Sequence, residues 1–498
     1  MHGSVEIMAT KPDEQQHNPL RSQDSAASSD DERAPLADVQ DDWQSSKKTF
    51  GVALLAVLNQ IAFGYDVGAV SQCLQPIERT FRLTQLQTGF VTSALNYFAA
   101  AGALMVSGAL LDRYGRRKAL IAAAWLLIAG GIAVAAATSF EALVIGRLLQ
   151  GLGVGCSWSA SGIYVTEIAP SKLRGSLVAL VDVAINLGII VGYCVAFLVD
   201  ATQLGRSFSI APWRVSMGLS ALPSLVFMLF VISLPESPRW LVKRSRPIAA
   251  KRSLQRLARP EASDADIDAA LASLGETVDE TSSWVDATLS PEGGYAALLG
   301  VVQQLTGTEA ILYFAPTVLP GGSKRDKFLG NVGVGSAKFI GELLASYMAD
   351  SETALLGRRT LTIGGSFGVC VGLAIFAKFS EDNSALPLLA AALSWTMFTF
   401  SLGPGPFSIV FVNEVVPTRL RAKSSAWSCF LNRITSASVA LSFLPLSTAY
   451  SASSVFALYA CVAFGATVFY AKTLPNTVGV SLEQLHGEGR VDAGPASP

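Results

Sequence analysis

Gly108-Ala109-Leu110-Leu111-Asp112-Arg113-Tyr114-Gly115-Arg116-Arg117 lies between two long apolar runs. It reads as a tight, basic turn between two helices. Gly115 can take the positive φ that a short helix–helix turn requires. Asp112 stands where it can pair with arginines at a neighbouring helix end. The arginines mark the turn as cytosolic, because positively charged loops are retained on that side of a membrane. Outward from this turn, apolar stretches of roughly twenty residues recur, each long enough to cross about 30 Å of hydrocarbon. About twelve of them are found, near 50–71, 86–111, 118–138, 141–165, 175–199, 213–234, 296–320, 330–350, 358–379, 386–412, 424–447 and 452–472. The short loops alternate in charge, and Arg113/Arg116/Arg117/Lys118, Lys172/Arg174, Arg358/Arg359 and Arg419/Arg421/Lys423 fall on one side. An even number of spans leaves both tails in the cytosol. The expected fold class is an all-α membrane protein.

Composition points the same way. Of 498 residues, 51% are hydrophobic and 15% charged, against about 25% charged in soluble domains. Mean hydropathy is +0.42, so the lipid bilayer is the expected surrounding. A net charge of -1 offers no electrostatic case for nucleic acid. Cys73, Cys156, Cys194, Cys370, Cys429 and Cys461 fall in or beside apolar segments without a CxxC pair. They read as small buried hydrophobes rather than a disulfide or zinc framework. His2, His17 and His486 lie in the tails, which leaves the spans without material for a histidine metal site or a Ser-His-Asp triad. No cofactor, no metal and no catalytic residue is expected.

Residues 1–48 are polar, Ser/Asp/Gln-rich and lack an apolar core, so they read as a disordered cytosolic tail and not a signal peptide. Within them Glu32-Arg33-Ala34-Pro35-Leu36-Ala37 resembles an acidic-dileucine sorting signal whose second leucine is Ala37; acidic tails produce such strings often. The remaining division is an N-terminal six-helix half over 49–238, a cytosolic linker with short helices over 239–294, a C-terminal half over 295–474 and a cytosolic tail over 475–498. An internal repeat supports two halves. Glu167-Ile168-Ala169-Pro170-Ser171-Lys172-Leu173-Arg174 recurs as Glu414-Val415-Val416-Pro417-Thr418-Arg419-Leu420-Arg421, and Leu234-Pro235-Glu236-Ser237 echoes Leu474-Pro475-Asn476-Thr477. The basic turn recurs weakly at Gly357-Arg358-Arg359, where Asp350 lies too far upstream and implies an insertion. Such repeats predict two pseudo-symmetric halves about an axis along the membrane normal, with the substrate site near the midplane between them. Acids and bases recur together at the cytosolic helix ends: Asp112, Glu167, Glu236 and Glu414 with Arg113, Arg174, Arg239, Arg358 and Arg421. Pairs among them, each worth about 0–1 kcal/mol when wet, would form an inner gate between the halves that can open in every cycle. Topology marking alone needs only Lys and Arg.

The basic turn also resembles the loop between the second and third helices of the major facilitator superfamily. Further stretches narrow the resemblance to its sugar porters. They are Phe63-Gly64-Tyr65-Asp66-Val67-Gly68, Arg147 with Gly151-x-Gly153-x-Gly155, Tyr164 before Glu167-Ile168-Ala169-Pro170, and Pro235-Glu236-Ser237-Pro238-Arg239-Trp240-Leu241. The second half adds Gln303-Gln304-Leu305-Thr306-Gly307 with Tyr313 and Pro316, Gly403-Pro404-Gly405-Pro406, and Leu474-Pro475…Gly479…Ser481-Leu482-Glu483. Together they cover nearly the whole chain after the first tail. The glycine run follows no strand, so close helix packing accounts for it better than a nucleotide fold.

The resemblance implies major facilitator architecture with twelve transmembrane helices, and a secondary active transporter of a monosaccharide or polyol working by alternating access. An acid in an apolar span is costly and is a functional hypothesis in itself. Asp66 is that acid, and Arg147 in the fourth span is its expected partner; the resemblance places them where proton symporters of the family carry their pair. A static salt bridge that only locks packing is the plainer alternative. A sugar needs convergent donors and acceptors, which amides supply. Gln303 and Gln304 fit this role, with Phe63 as an apolar platform, Tyr313 as gate or hydroxyl contact, and Asn432 beside them. Elsewhere this chain departs from the family pattern: Asp182 and Glu309 replace amides, Lys338 takes an eighth-span contact position, and Ile409 and Arg433 replace two tryptophans. Lys338 and Glu342, one turn apart, could pair on their helix. A sugar acid held by Arg433 and Lys338 is the alternative substrate, and a sugar sensor with little transport the alternative of another class. The short Gly-rich C-terminal tail argues against a sensor. The plasma membrane is favoured over vacuolar or other endomembranes.

Overall fold

The computed structural model describes residues 44, 46–105, 111–170, 174–204, 209–275, 283–319, 321–348, 357–382 and 385–475. Most of both tails, the sorting-like string, Gly108 to Leu110 and the region of Asp350 lie outside the described residues.

Among the described residues, twelve helical spans run back and forth in two halves. The first comprises Ser46–Ala56 and Leu58–Phe81, bent by 41° between them. Gln85–Met105, Arg116–Ala136, Phe140–Ile168, Arg174–Thr202 and Pro212–Ser233 complete the first half. A linker of short helices follows (Pro238–Lys243, Pro247–Leu257, Asp264–Gly275 and Trp284–Leu289) on the side of the basic turn. The second half begins with a broken seventh span, Pro291–Leu305 and Thr308–Val318, then Lys324–Met348 and Arg358–Phe379. A broken tenth span, Leu386–Leu402 and Pro404–Val415, precedes Thr418–Tyr450 and Ala452–Thr473.

Seven of these spans pass as membrane-crossing on length and apolarity alone, and the bent first span makes an eighth. The second, fourth, seventh and eighth spans do not. They carry the polar groups that face the protein interior, among them Asn96, Arg147, Gln150, Gln304, Glu309 and Glu342, all buried. A span that hides its polar face from lipid need not be apolar all round.

Small residues set how tightly the spans pack. A methyl group added at Gly64 would lie 1.9 Å from Ile185 O, and one at Gly192 2.3 Å from Tyr65 O, so the first and fifth spans touch backbone to backbone. At Gly155 the same methyl would lie 2.0 Å from Ala99 O, which joins the fourth span to the second. This is the close approach that glycine at four-residue spacing permits in membranes. The two breaks have equally local causes. Gly307 takes φ 77° beneath the ring of Tyr459, a conformation open to glycine. Pro404 has no N–H to continue the ladder of the tenth span, and Gly403 lies against Leu361 O.

Candidate transport cavity and proton site

Asp66 and Arg147 meet where the first and fourth spans cross. Arg147 Nη1 donates to Asp66 Oδ2 at 2.5 Å, and the two side chains are 1% and 4% exposed. Gln150, one turn after Arg147, closes a triangle. Its Oε1 accepts from Arg147 Nη1 at 3.1 Å and its Nε2 donates to Asp66 Oδ1 at 3.1 Å and to Ser220 Oγ at 3.2 Å. Arg147 Nε has no partner. The guanidinium therefore holds the carboxylate through one nitrogen only, with a donor to spare for a different arrangement. Gln150 and Ser220 were not among the residues expected from sequence; the i, i+3 spacing from Arg147 was the available signal.

Beside this pair a cavity of about 1040 Å³, partly open to solvent, lies between the halves. Phe63 and Val67 line it while Asp66 faces the fourth span, so cavity and carboxylate occupy adjoining faces of one helix. Asp182, Gln303, Gln304, Glu309, Lys338, Ile409, Asn432 and Arg433 also line it. Tyr313 does not: it is fully buried, and its hydroxyl takes a hydrogen bond from Asn96 Nδ2 at 3.4 Å. In this state Tyr313 packs behind the cavity wall rather than lining it.

The polar side chains of the wall differ in what they leave available. Gln303 donates to Pro404 O at 2.9 Å and Gly405 O at 2.6 Å, and accepts from Asn432 Nδ2 at 2.6 Å, so it clamps the break in the tenth span. Gln304 Nε2 reaches Asn432 Oδ1 at 3.4 Å, but its Oε1 is buried without a partner. Glu309 accepts from Asn96 Nδ2 at 3.0 Å. Lys338 donates to Asn186 Oδ1 at 2.6 Å across to the fifth span rather than to Glu342 on its own helix. Asn186 is one turn from Asp182, a spacing that could have flagged it. Arg433 donates to Asn432 Oδ1 at 2.8 Å and stacks over Trp158 at 5.2 Å. Three acids thus face two bases among the described lining residues.

At the basic end, Arg116 is the residue that pairs. Its Nε and Nη2 bind both oxygens of Glu167 at 2.8 and 2.7 Å, and its Nη1 reaches Asp112 Oδ1 at 3.4 Å. Arg113, expected in this role, is exposed and lies over its neighbour Tyr114 at 5.4 Å. Arg116 opens the third span one turn after Asp112, which turns it inward. Glu236 makes no ion pair with Arg239, which is exposed; its Oε1 accepts the backbone N–H groups of Arg116, Arg117 and Ser237 at 2.9, 3.1 and 3.0 Å. It caps the third span, where a carboxylate meets the positive end of the helix. Arg358 pairs with Glu414 in the second half. Both pairs join helices of the same half, at the end of the molecule where the cavity opens. Arg174 begins the fifth span, its side chain outside the description, and Arg421 is half-buried in the eleventh. Arg116→Ala should lower stability by about 1.5–3 kcal/mol, the worth of charge-assisted bonds, whereas Arg113→Ala should leave the melting temperature of the purified protein unchanged.

The halves meet at the opposite end. Lys324 pairs with Asp200 at 3.1 Å, Phe197 stacks on Phe328 at 3.9 Å, Tyr193 donates to Leu312 O at 3.0 Å, and Tyr97 meets Ser438 at 3.0 Å. From this seal the cavity runs towards the basic end, past Gly300, Val412 and Ser428.

Two six-helix halves around a polar cavity sealed at one end define a membrane carrier. The family model described as "Sugar (and other) transporter" matches residues 52–488, and the chain belongs to that family, one of transporters rather than enzymes. Polyol transporter 5 of Arabidopsis thaliana is 30% identical over 475 residues, spanning 88% of this chain and 85% of that protein. The glucose transporter GlcP of Staphylococcus epidermidis is 30% identical over 452 residues, spanning 89% and 98%. Among solved structures, the partially occluded inward-open form of the xylose transporter XylE from E. coli matches with a TM-score of 0.75 at 23% identity, covering 88% of this chain and all of that one. XylE described as a proton:xylose symporter, bound to 6-bromo-6-deoxy-D-glucose, matches at 0.73 over 89% of this chain. These structures share the major facilitator fold.

Proposed function

We propose that this protein carries a monosaccharide or polyol across a membrane by alternating access, in symport with a proton taken by Asp66. The observation that carries the reading is the buried Asp66–Arg147–Gln150 triangle against a helix whose next face lines the cavity. Protonation cancels the charge of Asp66 and releases Arg147, which alters how the first and fourth spans hold each other. Two charges so completely removed from water are costly to keep for packing alone. The relatives named above as polyol, glucose and xylose transporters support the substrate class.

With the basic end placed in the cytosol, as loop charge favours, the structure is an inward-facing state and both tails are cytosolic. Pairs such as Arg116–Glu167 and Arg358–Glu414 would then exchange partners across the halves when the inner side closes. The plasma membrane is the favoured location.

The cavity suits a neutral polyhydroxylated molecule better than a sugar acid. Its two bases are already engaged, by Asn186 and by Asn432 with Trp158, and its acids outnumber them. The unpaired Gln304 Oε1 is an acceptor for a substrate hydroxyl. Gln304→Ala should cost about 1–3 kcal/mol of binding, read as a KM raised roughly 5- to 150-fold in proteoliposome uptake. An unchanged KM would remove Gln304 from the site. Selective loss of anion uptake in Arg433→Lys, with neutral uptake spared, would instead favour the sugar acid, because lysine cannot reproduce a bidentate fork.

A further inference from the structure

A second cavity lies at the sealed end, on the far side of the closure from the first. Both halves build it: the first, fifth and sixth spans on one side, and the ends of the seventh and eighth on the other. It exists in this form because the halves are closed together there. Three cations, Arg79, Lys324 and Lys327, line it against one carboxylate, Asp200, which is held by Lys324 at 3.1 Å. Three residues of the wall also carry a buried polar atom without a partner: Ser71 Oγ, Gln72 Nε2 and Trp213 Nε1. Ser71 and Trp213 are 3% and 4% exposed. The indole is fixed by Phe81, edge-on at 5.8 Å, and by Arg214 at 4.5 Å, so its N–H cannot turn to seek a partner elsewhere.

A surplus of donors, inside a ring of excess positive charge, describes the complement of an oxyanion. Amide and indole N–H groups can only donate, and a buried donor left unpaired costs free energy until an acceptor arrives. Ser71 Oγ can also accept, but the amide and indole N–H groups and the three cations only donate, so a neutral sugar would find few acceptors here. We infer that this outer cavity binds a compact oxyanion, of the phosphate or carboxylate class, which bridges the two halves and holds the outer side shut. A ligand that binds one state and not the other shifts the population by its differential affinity. The bound anion therefore favours the inward-facing state and slows the return to the outward-facing one. The inference about control of transport rests on the alternating-access reading; the binding site itself does not.

Inorganic phosphate is the probe. Purified full-length protein is titrated with potassium phosphate, with potassium chloride at matched ionic strength as reference. The expected result is a saturable rise in melting temperature with phosphate alone. Lys327→Gln should weaken phosphate binding about ten-fold, the worth of one charge-assisted hydrogen bond, and Trp213→Phe should do so while keeping the ring. In zwitterionic vesicles, external phosphate should lower maximal influx and leave the sugar KM unchanged. An equal response to chloride, no saturable response, or full binding in both variants would overturn the site. Slowing by anionic lipid with no response to phosphate would overturn the soluble-anion assignment in favour of a lipid headgroup. Because melting needs no transport, phosphate binding by a protein that moves no sugar would leave this site standing and sink the transport reading instead.

Discussion

Asp66→Asn is expected to abolish accumulation of substrate against its gradient while sparing exchange between the two sides. Asparagine keeps the shape and the acceptor for Arg147 Nη1, but it can neither bind nor release a proton. The variant also leaves a guanidinium that is 1% exposed without a counter-charge, and breaking a buried pair in this way costs about 3–5 kcal/mol. Loss of accumulation could then report loss of fold. Asp66→Asn with Arg147→Gln separates the two, since the double change removes both charges, and stability should largely return while concentrative uptake does not. Concentrative uptake by either variant, still collapsed by an uncoupler, would place the proton elsewhere and reduce Asp66 to a packing residue.

Gly155→Ala should be among the most damaging single methyls in the first half. The added carbon would stand 2.0 Å from Ala99 O and 2.6 Å from Ala103 N, both backbone atoms that move only if the second span moves. Overpacking of this kind costs about 1–3 kcal/mol or more. Gly162 lies seven residues on in the same helix, and nothing stands within 4 Å of the methyl it would carry. Gly162→Ala should be neutral or stabilising, by up to about 1 kcal/mol of helix propensity. Melting of the two purified variants should diverge in opposite directions. Equal effects would mean that the helix crossing is looser than the structure has it.

The helical architecture was legible because lipid imposes a length and an apolarity that few other folds need. The buried acid and base were legible for the related reason that a charge in an apolar span stands out. Gln150, Asn96 and Asn186 did not stand out, being neutral amides in long helices. Which cation of the basic turn pairs was equally hidden. Arg113 and Arg116 are three residues apart, and the choice depends on the third span beginning at Arg116. Lys338 showed the limit of spacing rules, since only a same-helix partner can be read from sequence and its partner is on the fifth span. The burial of Tyr313 was hidden for a different reason. Every residue from Thr308 to Ala315 is buried, so that segment has no amphipathic stripe to say which face meets the cavity. The seal opposite the basic end depends on pairs such as Phe197 with Phe328, more than a hundred residues apart, and no local pattern announces them.

Whether a proton gradient drives a neutral sugar or polyol through this protein is read from uptake into proteoliposomes. Purified protein is reconstituted with an inward proton gradient and offered labelled hexoses, pentoses, polyols and sugar acids in turn. The expected result is accumulation of at least one neutral substrate above its external concentration, lost when an uncoupler is added. Uptake confined to sugar acids, or neutral uptake that never exceeds equilibrium with the gradient intact, would contradict it.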